Sequence, residues 1–254
     1  MLRLSRWMGE WLARYLSAPR EGVQVGLPSD PARLLRCLQP GDVLLVEGSS
    51  RIATAIKYLT QSTWSHAALY VGPQLGDTDA SGEPFLFVEA DVVQGVCKRP
   101  LAQYRSLHTR ICRARDLAPA DRDRILAEVT GKLGNRYDLK NVFDLARYLL
   151  PAPPVPGHLR RKMIALGSGD PTRAICSSLI AEAFQNVGYP ILPLITHEQK
   201  RSGASRRARR EIWHIRHHSL YAPRDFDVSP YFGIIKPTLE AGFDYRSIHW
   251  QAQA

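Results

Sequence analysis

The sequence predicts an α+β fold in which an antiparallel sheet or barrel is flanked by helices. Three observations support this prediction. Strand-like apolar runs cluster in the middle of the 254-residue chain, helix-like patterns lie on both sides of them, and the order of elements is mixed. Such an order is typical of α+β proteins with antiparallel strands.

The first helical pattern covers residues 1–19, where apolar residues recur at helical spacing and arginines interrupt them. No unbroken apolar core of a secretory signal is present, and the pattern is typical of an amphipathic helix at a membrane surface. The alternative is a helix that packs on its own domain. A shorter helix follows in DPARLLRCL, with Asp30 as its N-cap and Pro31 at its first position.

The runs VLLVEG, SHAALYVG and PFLFVEADVVQGV predict three strands, the last with an extension. A helix in SRIATAIKYLTQS, capped by Ser49 or Ser50, separates the first two strands. A turn-rich loop from Gly72 to Glu83 joins the second strand to the third. Because this loop is bounded by apolar runs, it suggests an antiparallel pair.

Three further helices are predicted, in APADRDRILAEVTGKL, NRYDLKNVFDLARYLL and AICSSLIAEAFQNVG. The first has Asp121 in its first turn, and Gly188 ends the last. A long proline-rich connector, residues 151–173, precedes the last helix. Short strands and turns follow it in the tail.

Composition and charge narrow the class of protein. The formal net charge is +10 and favours an anionic partner, which could be nucleic acid, an acidic lipid surface or an acidic substrate. Many of the arginines lie in Lys200–Arg210, which reads as a solvated loop. The four cysteines form no CxxC pair, so neither a zinc site nor a disulfide framework is expected. No stretch is long and apolar enough to span a bilayer.

Cys176 lies where a helix begins, and it is the candidate nucleophile. A helix N-terminus offers unpaired N–H groups and partial positive charge, which both favour a thiolate. Leu179, Ile180, Ala183 and Phe184 would form a buried face behind it, and the small Ser177 leaves room for substrate. The backbone N–H of Cys176 could stabilise an oxyanion. The alternative is a buried structural cysteine.

His66 and Glu89 are the candidate base and orienting carboxylate. His66 begins an apolar strand, and Glu89 follows the apolar run FLFV in the next strand. If His66 lies directly opposite Glu89, then Val71 lies opposite Pro84 and both candidate side chains share a face of the sheet. A shift of one residue would separate them. The alternatives are a hydrogen-bonded core histidine and a charged strand end.

These motifs together resemble the YiiX/YaeF group of permuted papain-like amidases, relatives of NlpC-type cell-wall peptidases. The resemblance rests on LQPGDVLLVEGSS, STWSHAALYVG, FVEADVVQGV, LGNRYD and AICSSLIAEAF, in that order over most of the chain. It implies a circularly permuted papain-like fold with Cys176 as nucleophile, His66 as base and Glu89 as orienting residue. It also suggests Tyr137 as a substrate or oxyanion contact.

The sequence therefore predicts a cysteine hydrolase that cleaves a peptide-like or N-acyl amide bond without a metal or cofactor. The first alternative is an acyltransferase or thioesterase-type lipid enzyme with the same triad. The second is a basic membrane-binding scaffold without enzymatic activity. No specific nucleic-acid partner is expected, because no aromatic and basic motif is visible. We expect a cytoplasmic protein, peripheral on the inner face of the membrane.

In domain terms, the prediction is an amphipathic helix over residues 1–19 followed by a hydrolase domain over residues 30–250. Two insertions are expected in that domain, near residues 151–173 and 198–212. The substrate could be lipid-linked, since the amphipathic N-terminus suits a lipid partner.

Overall fold

The computed structural model describes residues 26–135, 175–199 and 209–247, together with Tyr15 and Ala18. The helices in these ranges are α1 (Pro31–Cys37), α2 (Arg51–Thr60), α3 (Pro119–Gly131), α4 (Ile175–Asn186), α5 (Pro223–Asp227) and α6 (Pro237–Glu240). The strands are β1 (Val43–Glu47), β2 (His66–Tyr70), β3 (Phe85–Asp91), β4 (Gly95–Pro100), β5 (His108–Ala114), β6 (Leu194–Gln199), β7 (Arg209–His214) and β8 (Phe232–Ile235). The predicted helix in NRYDLKNVFDLARYLL, the connector 151–173 and nearly all of residues 1–19 lie outside the described residues.

Six of these strands form one open antiparallel sheet in the order β4–β3–β2–β1–β5–β8. Strands β6 and β7 form a separate antiparallel pair. Helices pack against the large sheet, so the predicted α+β class is confirmed. The circular permutation stays a prediction.

Strand β1 is covered on both faces, which explains why its sequence is apolar without alternation. Successive side chains of a strand point to opposite faces. Val43 and Leu45 therefore pack in one buried cluster, while Leu44 and Val46 pack in another. The first cluster includes the apolar face of α4, and the second includes Tyr104.

The helix caps are those that the sequence predicts. The Asp30 carboxylate accepts from the backbone N–H groups of Ala32 and Arg33 at the start of α1. The Ser50 hydroxyl accepts from the N–H of Ala53 at the start of α2, so Ser50 rather than Ser49 is the cap. Each bond satisfies an N–H that the helix itself leaves unpaired.

Helix α4 is anchored by the four predicted apolar residues. Leu179, Ile180, Ala183 and Phe184 are all almost completely buried, and the helix packs against α3, β2 and β3. Gly188 follows the helix in the left-handed region, with φ of +76°, as the sequence predicts for its end. This packing directs the first turn of α4 toward the sheet.

Some elements of the described chain differ from the sequence-based prediction. The extension of the third strand is a separate strand, β4, reached through a turn in which the Asp91 carboxylate accepts from the N–H groups of Val93 and Gln94. Strand β5 was not predicted at all. Arg209 and Arg210, which the sequence places in a solvated loop, begin strand β7.

Within the described ranges, no helix combines the length and the apolar character needed to cross a bilayer.

Candidate active site

His66 is the first residue of β2 and stands opposite Val46 of β1. The chain before it is fixed by buried polar contacts. The Ser65 hydroxyl accepts from the N–H of Gly48 at 2.9 Å, and the two residues are closely packed, because a Cβ at Gly48 would lie only 3.1 Å from the Ser65 oxygen. The start of β2 is therefore held firmly against the end of β1.

His66 and Glu89 are in contact, although the predicted register between their strands is wrong. The paired positions are Leu69 with Val88 and Tyr70 with Phe87, a shift of two residues from the predicted pairing. Continuing this register places Glu89 opposite Ala68 rather than opposite His66. Since side chains alternate with a period of two, the shift keeps both residues on one face, as diagonal neighbours.

The contact itself is short. The distance between His66 Nε2 and Glu89 Oε2 is 2.6 Å, so the ring N–H donates to the carboxylate. This bond leaves Nδ1 as the ring nitrogen available to another group. An imidazole held in this way has a fixed orientation and a fixed tautomer.

Cys176 reaches His66 from the first turn of α4, where it is only 5% exposed. Its thiol hydrogen bonds with the His66 side chain and accepts from the backbone N–H of Ala67. The Ser177 hydroxyl also hydrogen bonds with the thiol. The structure thus brings together the three residues that the sequence singled out, in the order thiol, imidazole, carboxylate.

Glu89 has two further partners that the sequence analysis missed. The guanidinium of Arg99 donates through Nε to Glu89 Oε1, and the hydroxyl of Tyr104 donates to Oε2, both at 2.7 Å. Arg99 lies on β4 opposite Phe87, and the rings of Tyr104 and Phe87 meet edge to face at 5.0 Å. A buried carboxylate requires such donors, and that requirement was the available signal for them.

The charges of these groups stabilise one another. Burial opposes ionisation of Glu89, but His66 and Arg99 outweigh it and lower the pKa of Glu89 from 4.5 to about 2. Burial likewise disfavours the imidazolium, but the Glu89 carboxylate and the Cys176 thiolate raise the pKa of His66 well above 6.5. Burial and the nearby Glu89 charge raise the pKa of the Tyr104 phenol, which keeps its proton for donation.

The same balance favours a thiolate at Cys176. Burial alone would raise its pKa, but the imidazolium of His66 and the hydrogen bonds from Ala67 and Ser177 lower the pKa below 9.0. The arrangement can therefore hold a thiolate–imidazolium pair. At Cys97 and Cys112 no such partners outweigh burial, which raises the thiol pKa of Cys97 to about 12 and also raises that of Cys112.

The other two predicted site residues are Ser177 and Tyr137, and the role in substrate binding that the sequence predicts for them stays a prediction. Ser177 is completely buried, and the contact of its hydroxyl is with the thiol, so its predicted contact with substrate stays a prediction. Tyr137 lies outside the described residues. Among the described residues, no group of three or more His, Cys, Asp or Glu side chains is arranged to hold a metal ion.

Comparisons with known proteins give a distant structural match. No protein-family model matches the chain, and no curated protein matches it. Among solved structures, the metalloprotein YiiX from Escherichia coli O157:H7 is similar, with 16% sequence identity and a TM-score of 0.43. The match covers 78% of this chain and 96% of that chain. A likeness of this size bears on neither the residues of the site nor their chemistry.

Proposed function

We propose that this protein is a cysteine hydrolase that cleaves an amide bond, with Cys176 as nucleophile, His66 as general acid and base, and Glu89 as the orienting carboxylate. One observation carries the proposal. A single imidazole hydrogen bonds with a thiol at the start of a helix on one side and with a buried carboxylate on the other. Covalent acyl transfer uses a nucleophile, a base and an orienting group that contact one another in this order.

In the proposed first half-reaction, the Cys176 thiolate attacks the carbonyl carbon and forms a carbon–sulfur bond. The carbonyl oxygen becomes an oxyanion near the N-terminus of α4, where backbone N–H groups and the helix dipole favour negative charge. The His66 imidazolium then gives its proton to the leaving nitrogen as the carbon–nitrogen bond breaks. An amine leaves, and a thioester on Cys176 remains.

In the second half-reaction, the neutral His66 imidazole takes a proton from water. The resulting hydroxide attacks the thioester, the carbon–sulfur bond breaks, and the acid leaves as the thiolate–imidazolium pair is restored. Glu89 keeps its charge throughout, because a carboxyl with a pKa of about 2 does not take up the imidazole proton at neutral pH.

The experiment that tests this proposal is to trap the thioester. The full chain is incubated with a panel of acyl p-nitroanilides and p-nitrophenyl esters, quenched in acid and analysed by intact mass and peptide mapping. We expect an acyl adduct on Cys176 that is absent from Cys176→Ala. Cys37→Ala is the matched control, because it removes a thiol outside the triad that is more exposed than Cys176, and it is expected to leave the adduct unchanged.

The fate of the trapped acyl group separates hydrolysis from acyl transfer. Release of the free acid in the presence of added amine and alcohol acceptors supports the hydrolase. Transfer of most of the acyl group to an acceptor would instead establish an acyltransferase with the same three residues. Absence of any adduct on Cys176 over the whole panel, with the adduct found on another residue, would contradict the assignment.

A further inference from the structure

A second cluster of charged side chains lines a cavity of about 550 Å³ at the end of the sheet where His66 lies. Glu47, which ends β1, pairs with His108, which begins β5, while the neighbouring Val46 pairs with His66. A cavity of this size lies in the range of small-molecule binding sites. Its charged and histidine lining residues are Glu47, Lys57, His108, Arg110, Arg224 and Asp227.

The two carboxylates that line the cavity, Glu47 and Asp227, are both hydrogen-bonded to donors of the protein itself. Glu47 accepts from the backbone N–H of Gly26 at 3.0 Å, from the Lys57 ammonium at 3.2 Å, and bonds with His108 Nδ1 at 3.0 Å. Its side chain is only 10% exposed. These contacts leave Glu47 little capacity to bind a ligand from the cavity.

The Asp227 carboxylate also accepts hydrogen bonds from side chains of the protein. It accepts from the indole N–H of Trp64 at 3.0 Å and from the Arg110 guanidinium at 2.7 Å. Trp64 is almost completely buried, and its ring also lies against Arg110, at 4.9 Å, and against His108, at 5.1 Å. A buried indole and a partly buried carboxylate thus hold the Arg110 guanidinium in place.

Two of the cationic side chains, those of Arg110 and Arg224, are more exposed than the carboxylates, whereas the Lys57 side chain is 17% exposed and bonds with Glu47. The Arg110 side chain is 35% exposed against 20% for its partner Asp227, and Arg224 is exposed. Arg224 uses one N–H on the backbone carbonyl of Thr60, which leaves further donors of its guanidinium for a ligand. Lys57, Arg110 and Arg224 outnumber the two carboxylates, so the cavity carries excess positive charge even with His108 neutral.

We propose that this cavity binds a small organic anion through a carboxylate or phosphate group, with Arg224, Arg110 and Lys57 as the recognising cations. Guanidinium groups match both kinds of oxyanion, because their parallel N–H groups can donate to two oxygens at once. The volume leaves room for an organic body attached to the anionic group. This binding does not depend on catalysis at Cys176.

Three probe molecules test the proposal by isothermal titration calorimetry on the full chain. Benzoate offers a carboxylate, phenyl phosphate offers a phosphate, and benzamide is the neutral counterpart of benzoate. We expect binding of at least one anion and none of benzamide at the same concentration. Binding of benzoate alone identifies a carboxylate site, and binding of phenyl phosphate alone identifies a phosphate site. No turnover is measured, so this result and that for the proposed hydrolase are independent.

Matched variants test whether the anions bind in this cavity. Arg224→Gln removes an exposed cation that donates to the backbone carbonyl of Thr60, and it is expected to weaken anion binding by about tenfold. Arg124→Gln makes the same charge change on the exposed face of α3 and is expected to leave binding unchanged. Lys57→Gln provides a second lining variant with the same expected direction.

Several outcomes would overturn the proposal. Equal binding of benzamide would show an unselective apolar cavity. Equal weakening by Arg224→Gln and Arg124→Gln would show attraction to the overall positive charge rather than to this cavity. No binding of either anion to the folded chain would leave the cavity without the proposed ligand.

Discussion

Glu89 should make the free energy of unfolding depend on pH in the acid range. Its pKa is lowered from 4.5 to about 2, a shift that favours the folded state wherever the carboxylate is ionised. For a carboxyl with a lowered pKa, this stabilisation is present above the unfolded-state pKa of 4.5 and is lost as pH falls through the folded-state value of about 2. Glu89→Gln removes the titrating group while keeping the size of the side chain.

The size of the effect follows from the shift. Each pKa unit corresponds to about 1.4 kcal/mol, so the difference between 4.5 and about 2 corresponds to roughly 3 kcal/mol. No large reduction for solvent screening is needed, because the Glu89 side chain is only 6% exposed. The free energy of unfolding of the wild type should therefore fall by about 3 kcal/mol more than that of Glu89→Gln between pH 5 and pH 2.

The assay is urea unfolding of both proteins at a series of pH values, followed by fluorescence. Taking the difference between the two proteins cancels the contributions of the titrating groups that do not interact with Glu89. Asp123→Asn controls for the change in net charge, because Asp123 is an exposed carboxylate on α3. If the difference between wild type and Glu89→Gln stays constant over this pH range, Glu89 is not the ionised partner of His66 and Arg99.

Three further predictions concern turnover and membrane binding. Glu89→Gln should lower turnover in steady-state assays by about 10²–10⁴-fold. The loss should be smaller than in Cys176→Ala, because an orienting carboxylate does not bond to substrate. An unchanged rate and an unchanged pH profile would contradict this prediction. Arg99→Gln should lower turnover by no more than about tenfold, because Glu89 stays ionised at neutral pH. Arg105→Gln, which breaks an exposed ion pair, is the control and should leave turnover unchanged. Equal losses of turnover in the two variants would show that Arg99 does not support the site. Removal of residues up to Ser17 should abolish salt-sensitive binding to anionic liposomes in co-sedimentation, because basic residues add about 1 kcal/mol each near such a surface. A folded truncation that binds equally well would exclude the helix as the anchor, and an unfolded one would show that it belongs to the core.

The local parts of the fold were predictable because their signals are local. The N-caps Asp30 and Ser50, the buried face of α4 and the left-handed Gly188 all depend on residues within a few positions of one another. The pairing of His66 with Glu89 was predictable for a different reason. Because side chains alternate along a strand, His66 and Glu89 share a face in every register that differs from the predicted one by an even number of residues.

The register was not predictable, because the loop between β2 and β3 sets it. That loop contains a 3₁₀ helix, Gly72–Leu75, and an isolated bridge between Thr78 and Pro84, neither of which the sequence pattern revealed. Since the resulting shift is two residues rather than one, it changes which residues are opposite each other without moving Glu89 to the other face.

Strand β5 was not predicted because arginines interrupt its apolar pattern. Arg110 bonds with Asp227 and Arg113 bonds with Asp42, over separations of 117 and 71 residues. Charged residues at these positions interrupt an apolar strand pattern, and their partners are too distant in the chain for any local pattern to show. Arg99 and Tyr104 were missed as partners of Glu89 because the sequence did not show where β4 begins.

The reactivity of Cys176 tests the central claim most directly. The full chain is treated with iodoacetamide over a range of pH, and the rate of alkylation at each cysteine is followed by peptide mass spectrometry. We predict that Cys176 reacts faster than Cys37, Cys97 and Cys112 below neutral pH, and that His66→Ala moves its reaction to higher pH. Faster alkylation of any other cysteine below neutral pH, or an unchanged Cys176 profile in His66→Ala, would contradict the assignment of Cys176 and His66 as nucleophile and base.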